Sequence, residues 1–321
     1  MAKVSINPSS NANPDTGFGT QANRIGGRFV NKDGSFNLVK TGLPFWKRLS
    51  PYSHLMQVSW WRFLGYVVLF YMLVNTLFDT IYLTLGVHQF EGLMQGSVWL
   101  HFRQLFYFST QTFTTVGYGR INPLRDAADL IASFQIMCGW LFFALVTGLL
   151  YGRFTQPKAF IAFSHKALVA PYCNGSALMF RMVPYKNNHF LTNAQVSVNA
   201  AFLLSENKGG EYQFFSLQLE RKRIDTFNMN WTVVHPIDEN SPFLNFSEAD
   251  LGRSDLEIYV QVSGFDPIYS NTVMQRTSYT YQEVVWGARF LPMYHESEGD
   301  ESTILELDKL DAFEPAGLPV A

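Results

Sequence analysis

The sequence predicts a membrane α-helical domain of two spans, with a re-entrant helix between them, followed by an all-β sandwich. Three observations predict it. Residues Trp60 to Leu85 and Ala127 to Gly152 are apolar runs longer than the roughly 20 residues a helix needs to cross a bilayer. A shorter apolar segment, Val98 to Thr112, lies between them. From about Phe160 the period shortens to that of strands, with turn residues punctuating Val-, Phe-, Leu- and Tyr-rich stretches.

Composition agrees. Charged residues are 16% of the 321, against about 25% in an ordinary soluble domain. The hydrophobic share of 47% excludes wholesale disorder. A formal net charge of -2 without a Lys/Arg run argues against nucleic acid as a partner. Two cysteines, Cys138 and Cys173, are too few for a disulfide framework. The length favours more than one domain. Composition shifts divide it into a flexible N-terminal tail (1–40), a membrane domain (41–158), a β-sandwich (159–295) and an acidic C-terminal tail (296–321).

In the first span only Arg62 and Asp79 are charged, and both lie towards its ends. Before it, Trp46, Leu49, Leu55, Met56 and Val58 interleave with Lys47, Arg48 and His54, a pattern for a short amphipathic helix on the membrane surface. Six basic residues flank the pair of spans (Lys40, Lys47, Arg48, Arg153, Lys158, Lys166), against three in the loop between them (Arg103, Arg120, Arg125). The positive-inside rule then places both termini in the cytoplasm of a multi-pass cell-membrane protein.

The segment between the spans carries the chemistry. Val98 to Thr112 is helical in length but short for a crossing, so it is predicted to re-enter. It is followed by Thr115-Val116-Gly117-Tyr118-Gly119. A dehydrated potassium ion needs a cage of oxygens in place of its water. Backbone carbonyls supply one only if successive C=O groups point inward, which demands backbone angles that Gly117 and Gly119 permit. The Thr115 hydroxyl adds a further oxygen, and Val116 and Tyr118 brace the loop from behind. Four copies around an axis complete the rings. TVGYG is the string from which potassium filters are made. No cofactor is expected beyond potassium ions held at Thr115, Val116, Gly117 and Tyr118.

On the second span Phe143, Thr147 and Tyr151 recur at i, i+4 and i+8 and share one face. Large side chains there are candidates for a hydrophobic gate. Gly139 and Gly148 permit bending or close packing. Arg62, Arg153 and Lys158 are candidates for contact with anionic lipid. No Walker loop, GxGxxG, His/Cys cluster or nucleophile elbow is present, which argues against an enzyme. His235 beside Asp238 and Glu239 is read as structural. The rival reading is a membrane-anchored β-sandwich binding protein whose loop is structural and which passes no ions.

The order span, TVGYG, span, then Arg153 and Pro157, FSHKALVA (Phe163 to Ala170), HPIDENSP (His235 to Pro242) and WGARF (Trp286 to Phe290), resembles the inward-rectifier potassium channels. Gln111 and the short loops around the filter resemble the prokaryotic branch, which implies the bacterial inner membrane. The resemblance spans about residues 40–292. It implies a homotetramer whose pore continues through immunoglobulin-like cytoplasmic domains, and passive potassium flow. Arg153 matches a position that touches anionic lipid in the family, with Lys158 in the same stretch. Neutral residues at Phe143, Gly209 and Pro267, where strong rectifiers carry acids, imply weak rectification. Tyr269 to Met274 resembles the apical ring of the cytoplasmic pore, a second gate.

Overall fold

The structure is a computed structural model that describes residues 6–13, 28–48, 50–203, 212–296 and 303–319. It divides into two compact units. One is residues 41–156; the other combines residues 1–40 with 157–321. Leu49, the turn at Lys208-Gly209-Gly210 and the rectification position Gly209 lie outside the described residues.

The first unit opens with α1 (Phe45–Arg48) and α2 (Pro51–Gln57). The sequence suggested one continuous surface helix. Pro51 divides it, because the residue before a proline is driven out of helical geometry, and Ser50 is extended. Next come α3 (Trp60–Leu85), α4 (Val98–Phe113) and α5 (Asp126–Phe154). Helices α3 and α5 are long and apolar enough to cross a membrane. The ladder β1 (Phe90–Glu91) with β2 (Asn122–Pro123) ties the segments on either side of α4 together.

The core of this unit is aromatic. Tyr82 of α3 packs edge-on against Phe90 at 5.3 Å and Phe108 of α4 at 5.4 Å. The outward faces stay apolar: Leu69, Leu73 and Leu77 on α3, and Leu130, Trp140, Leu141 and Leu145 on α5, are all exposed. A water-facing helix would carry charges there, whereas a lipid-facing one needs none.

The second unit is a sandwich of two five-stranded sheets. One contains β3 (Ile161–Phe163), β4 (Ala167–Tyr172), β5 (Gly175–Pro184), β9 (Trp231–Pro236) and β12 (Val284–Trp286). The other contains β6 (Leu191–Leu203), β7 (Tyr212–Ser216), β8 (Arg223–Phe227), β10 (Glu257–Asp266) and β11 (Asn271–Thr280). Strand β6 shows how the core is written: Val196, Val198, Ala200 and Phe202 alternate inward with a period of two. They meet Phe180 and Met182 of β5 and Ile258, Val260 and Val262 of β10 in one cluster. A short helix, α6 (Glu248–Arg253), starts on a capping box between Ser247 and Asp250.

The flexible N-terminal tail (1–40) and the acidic C-terminal tail (296–321) expected from the sequence both contain ordered segments among the described residues. Near the N-terminus, Ala12 bridges Phe215 and the Asn7 amide donates to the Glu239 carbonyl at 2.6 Å. The Arg28 guanidinium donates to Glu283 at 2.8 Å and to the Ser278 carbonyl at 2.6 Å. The Glu257 carboxylate accepts from the Phe29 and Val30 amides. Burial pushes its carboxyl above the usual range, and those amides oppose the shift.

At the other end, β13 (Ala288–Phe290) pairs with β16 (Phe313–Pro315), and β14 (Tyr294–Glu296) with β15 (Thr303–Leu305). Leu310 is buried with Met293 and Val183. Polar side chains bonded to main chain have no hydrophobic period, so neither end was legible as structure.

Candidate functional site

The site is built on the C-terminal end of α4. This 16-residue helix is about 24 Å long and is capped at its start by the Ser97 hydroxyl, which accepts from the Leu100 amide. Its last carbonyls carry the negative end of the helix dipole to the start of the TVGYG loop. The turn out of the helix is tied back: the Thr115 amide donates to the Thr112 carbonyl at 3.1 Å and the Val116 amide to the Gln111 carbonyl at 2.9 Å.

In the loop itself Thr115, Gly117 and Gly119 have φ of +60°, +54° and +74°, while Val116 and Tyr118 stay outside the positive region. Alternation of positive φ with ordinary φ turns successive peptide planes about the chain, the arrangement a loop needs if its carbonyls are to face one side. A loop with this backbone could offer carbonyl oxygens in place of the water around a bare cation. A Cβ at Gly117 or Gly119 would meet nothing within 4 Å, so these glycines are needed for conformation and not for room. Thr115 was expected only to lend a hydroxyl. It also holds a backbone conformation that is unfavourable for a β-branched residue. No sequence signal marks that beyond its place in the alternation.

Behind the loop lies a buried polar chain that sequence reasoning missed. The Tyr82 hydroxyl donates to Gln135 Oε1 at 2.6 Å. The Gln135 amide donates to the Ser109 hydroxyl at 2.6 Å and to the Ser109 carbonyl at 3.0 Å. Ser109 in turn donates to Asn75 Oδ1 at 2.9 Å. These bonds join α3, α4 and α5. Their signal in the sequence is Asn75 and Gln135 in the middle of apolar spans, where polar side chains are expensive unless paired. Gly139 of α5 completes the packing: a Cβ there would stand 2.0 Å from the Phe113 carbonyl oxygen.

Phe143, Thr147 and Tyr151 lie on one exposed face of α5 that this chain's own helices leave uncovered. Gly148 is open as well, with nothing within 4 Å of a Cβ. Tyr118 is 79% exposed, and Val116 also projects from the chain. Large apolar groups left bare beside this loop and along α5 call for cover by further copies or by lipid.

The basic candidates divide. Arg62 and Lys158 are exposed. Arg153 is half-buried: its guanidinium donates to the carbonyls of Leu55 and Val58 and stacks over Trp60 and Phe63, each at 4.8 Å. His235, read as structural, is 3% exposed. Its Nδ1 lies 2.6 Å from the Gln218 carbonyl and its Nε2 2.8 Å from the Ser241 hydroxyl. Among the described residues no group of His, Cys, Asp and Glu side chains is placed to hold a metal ion.

Comparison with known proteins follows the two units. Residues 58–156 match the family model "Ion channel", and residues 161–319 match "Inward rectifier potassium channel C-terminal domain". The inward rectifier potassium channel Kirbac3.1 of Paramagnetospirillum magnetotacticum is 31% identical over 271 residues, which cover 83% of this chain and 89% of that protein. The G protein-activated inward rectifier potassium channels 1 of Bos taurus and Homo sapiens are each 29% identical over 214 residues, 62% of this chain and 42% of theirs.

Proposed function

Since this chain belongs to the inward rectifier potassium channel family, and so is a membrane ion channel and no enzyme, we propose that four copies assemble around the TVGYG loop into a passive potassium pore. Thr115, Val116, Gly117 and Tyr118 supply the oxygens that replace the ion's water, and Gly119 provides the last left-handed turn. The observation that carries this reading is the positive φ at residues 115, 117 and 119 of one continuous loop. Stacked carbonyl rings stabilise a dehydrated cation closely enough to admit it, and repulsion between neighbouring ions lets it leave. The α4 dipoles add a negative potential below the filter.

Phe143, Thr147 and Tyr151 line the inner cavity, and their rings form the hydrophobic constriction that closes it. The exposed face they share in a single chain supports this. The hairpin from Tyr269 to Met274 is the second, cytoplasmic gate. Neutral Phe143 and Pro267 leave divalent cations and polyamines without carboxylates to hold them, so rectification is weak.

The grouping of residues 1–40 with 157–321 supports both termini lying on one side of the membrane, which positive-inside counting makes the cytoplasm. In a bacterium that is the inner membrane. Anionic lipid headgroups meet the exposed cations Arg62 and Lys158, while Arg153 contributes its positive field from a fixed position.

The test is uptake of radioactive rubidium into potassium-loaded liposomes carrying the purified protein, with and without barium, excess sodium and anionic lipid. Barium-sensitive uptake that sodium does not compete supports the selective pore. Robust uptake insensitive to barium, or no uptake by a protein that crosslinks only as a monomer, overturns it.

A further inference from the structure

Asp79 sits on α3 one turn beyond Asn75 and one turn before Tyr82, on the face those residues bury against α4 and α5. Its side chain is fully buried, at 0% exposure, and both carboxylate oxygens lack a hydrogen-bond partner among the described residues. Around it the polar groups are already committed to one another: Asn75 to Ser109, Ser109 to Gln135, Gln135 to Tyr82. The carboxyl group is the one member of this wall left out of the chain.

The charged and titratable side chains of the neighbouring elements do not reach it. On α4 Arg103 and Tyr107 are exposed and His101 is half-buried. On α5 Asp126 and Asp129 are exposed. His88 and Glu91, in the segment after α3, are exposed too, and Arg62 of α3 itself lies more than four turns away on an exposed position. Among the described residues Cys138 of α5 packs against the same cluster, Tyr82 faces inward one turn away, and Tyr71 of α3 packs on Phe113 of α4 about two turns away.

A carboxylate in apolar surroundings has three ways to avoid an uncompensated charge: a cationic partner, a metal, or a proton. Among the described residues no cationic side chain faces Asp79, and no cluster of His, Cys, Asp and Glu side chains is built there to hold a metal. Ser109 and Asn75, the oxygen carriers at hand, are spent on each other. From this placement we propose that Asp79 is a proton-binding site wired to the pore helix: its neutral acid lets α3 pack on Ser109, and loss of the proton loosens the wall behind the filter.

The step balances simply. The carboxylate takes one proton from water and returns one, with no other reactant. Six residues, about 9 Å of helix, separate Asp79 from the end of α3 at Leu85, against nineteen from its start at Trp60, so the C-terminal end of α3 is the nearer source of a proton. The link to flux rests on the channel reading above. Proton binding does not, and the two are tested separately.

The experiment compares the full-length protein with D79N, whose amide copies the shape of the neutral acid and cannot ionise. Infrared difference spectra between about pH 6 and about pH 9 report the carbonyl stretch of a protonated carboxylic acid. The band is expected in the wild type and absent in D79N. D79S serves the same assignment if D79N does not assemble. In liposomes, rubidium uptake by the wild type is expected to fall about threefold or more from the lower to the higher pH, and by less than about half that factor in D79N. A wild type without the band overturns the proton site. A band that is present while the two proteins share one pH profile of uptake overturns the coupling to the pore.

Discussion

The Arg153 guanidinium, in the last turn of α5, donates to the main-chain carbonyl of Val58 at 2.7 Å, just ahead of α3. A second bond reaches the Leu55 carbonyl. The end of the second span is thereby fastened to the chain entering the first. A residue singled out for its charge turns out to be a fork whose geometry matters.

R153K therefore separates two roles. As a staple Arg153 makes two charge-assisted bonds of about 1.5–3 kcal/mol each, which an ammonium cannot reproduce together. R153K is expected to lower the melting temperature of the detergent-solubilised assembly nearly as far as R153A. If R153K keeps wild-type stability and both variants change only the response to anionic lipid, the staple is wrong.

Gly117→Ala tests the oxygen ladder. An L-residue in the left-handed region costs about 1–2 kcal/mol, and nothing in the chain crowds the new methyl. The expected result is loss of potassium-over-sodium discrimination in liposome flux, with the crosslinked assembly unchanged from that of the wild type. Selectivity unchanged in this variant would overturn the filter geometry.

Gly139→Ala should be far more damaging than Gly148→Ala. The first methyl lands on the Phe113 carbonyl; the second meets open space. Displacing the end of α4 is expected to cost about 1–3 kcal/mol of overpacking and to reduce flux strongly. Thermal melts and rubidium uptake on both variants check the ranking, and equal effects contradict it.

Tyr82→Phe removes one hydroxyl and leaves Gln135 Oε1 buried without its donor. The expected penalty is about 1–3 kcal/mol. Adding Q135L to Y82F is expected to give no recovery, because it removes the orphaned Oε1 but also takes the Gln135 amide from the Ser109 hydroxyl and carbonyl. A double variant less stable than the sum of the singles would show that the chain acts as a longer network.

His235 gives the sandwich a pH dependence. Burial pushes its imidazole below the usual range, against the Gln218 carbonyl and Asp238. The unfolded chain then binds a proton that the folded chain refuses, so stability falls as pH drops below about 6.5. H235Q is expected to flatten the acid limb of the melting curve for the full-length protein. An unchanged limb would assign it to other groups.

Much of the membrane unit was legible, and for a physical reason. Spans and re-entrant helix are long apolar segments, and the structure places them at Trp60–Leu85, Val98–Phe113 and Asp126–Phe154. The strand alternation of β6 and β10 was equally clear. Strand β11 was not, because it lies at a sheet edge and carries Gln275 and Arg276 half-buried. Asp79 read as a charge towards the end of a span, but it is sealed inside. Burial is decided by neighbours far along the chain, which local pattern does not name. The left-handed turn at Thr115 was hidden likewise, since residue identity argues against it.

The N-terminal strap also sets an order of events during synthesis. Asn7 meets Glu239 across 232 positions, and Arg28 meets Glu283 across 255. When the ribosome releases the first residues, their partners are not yet made, and both crossings must be inserted before they are. The sandwich can close over its own beginning only after nearly all of the chain has been translated. Such long-range closure makes its final assembly slow, and leaves Glu257 and the sheet edge beside it uncovered until then.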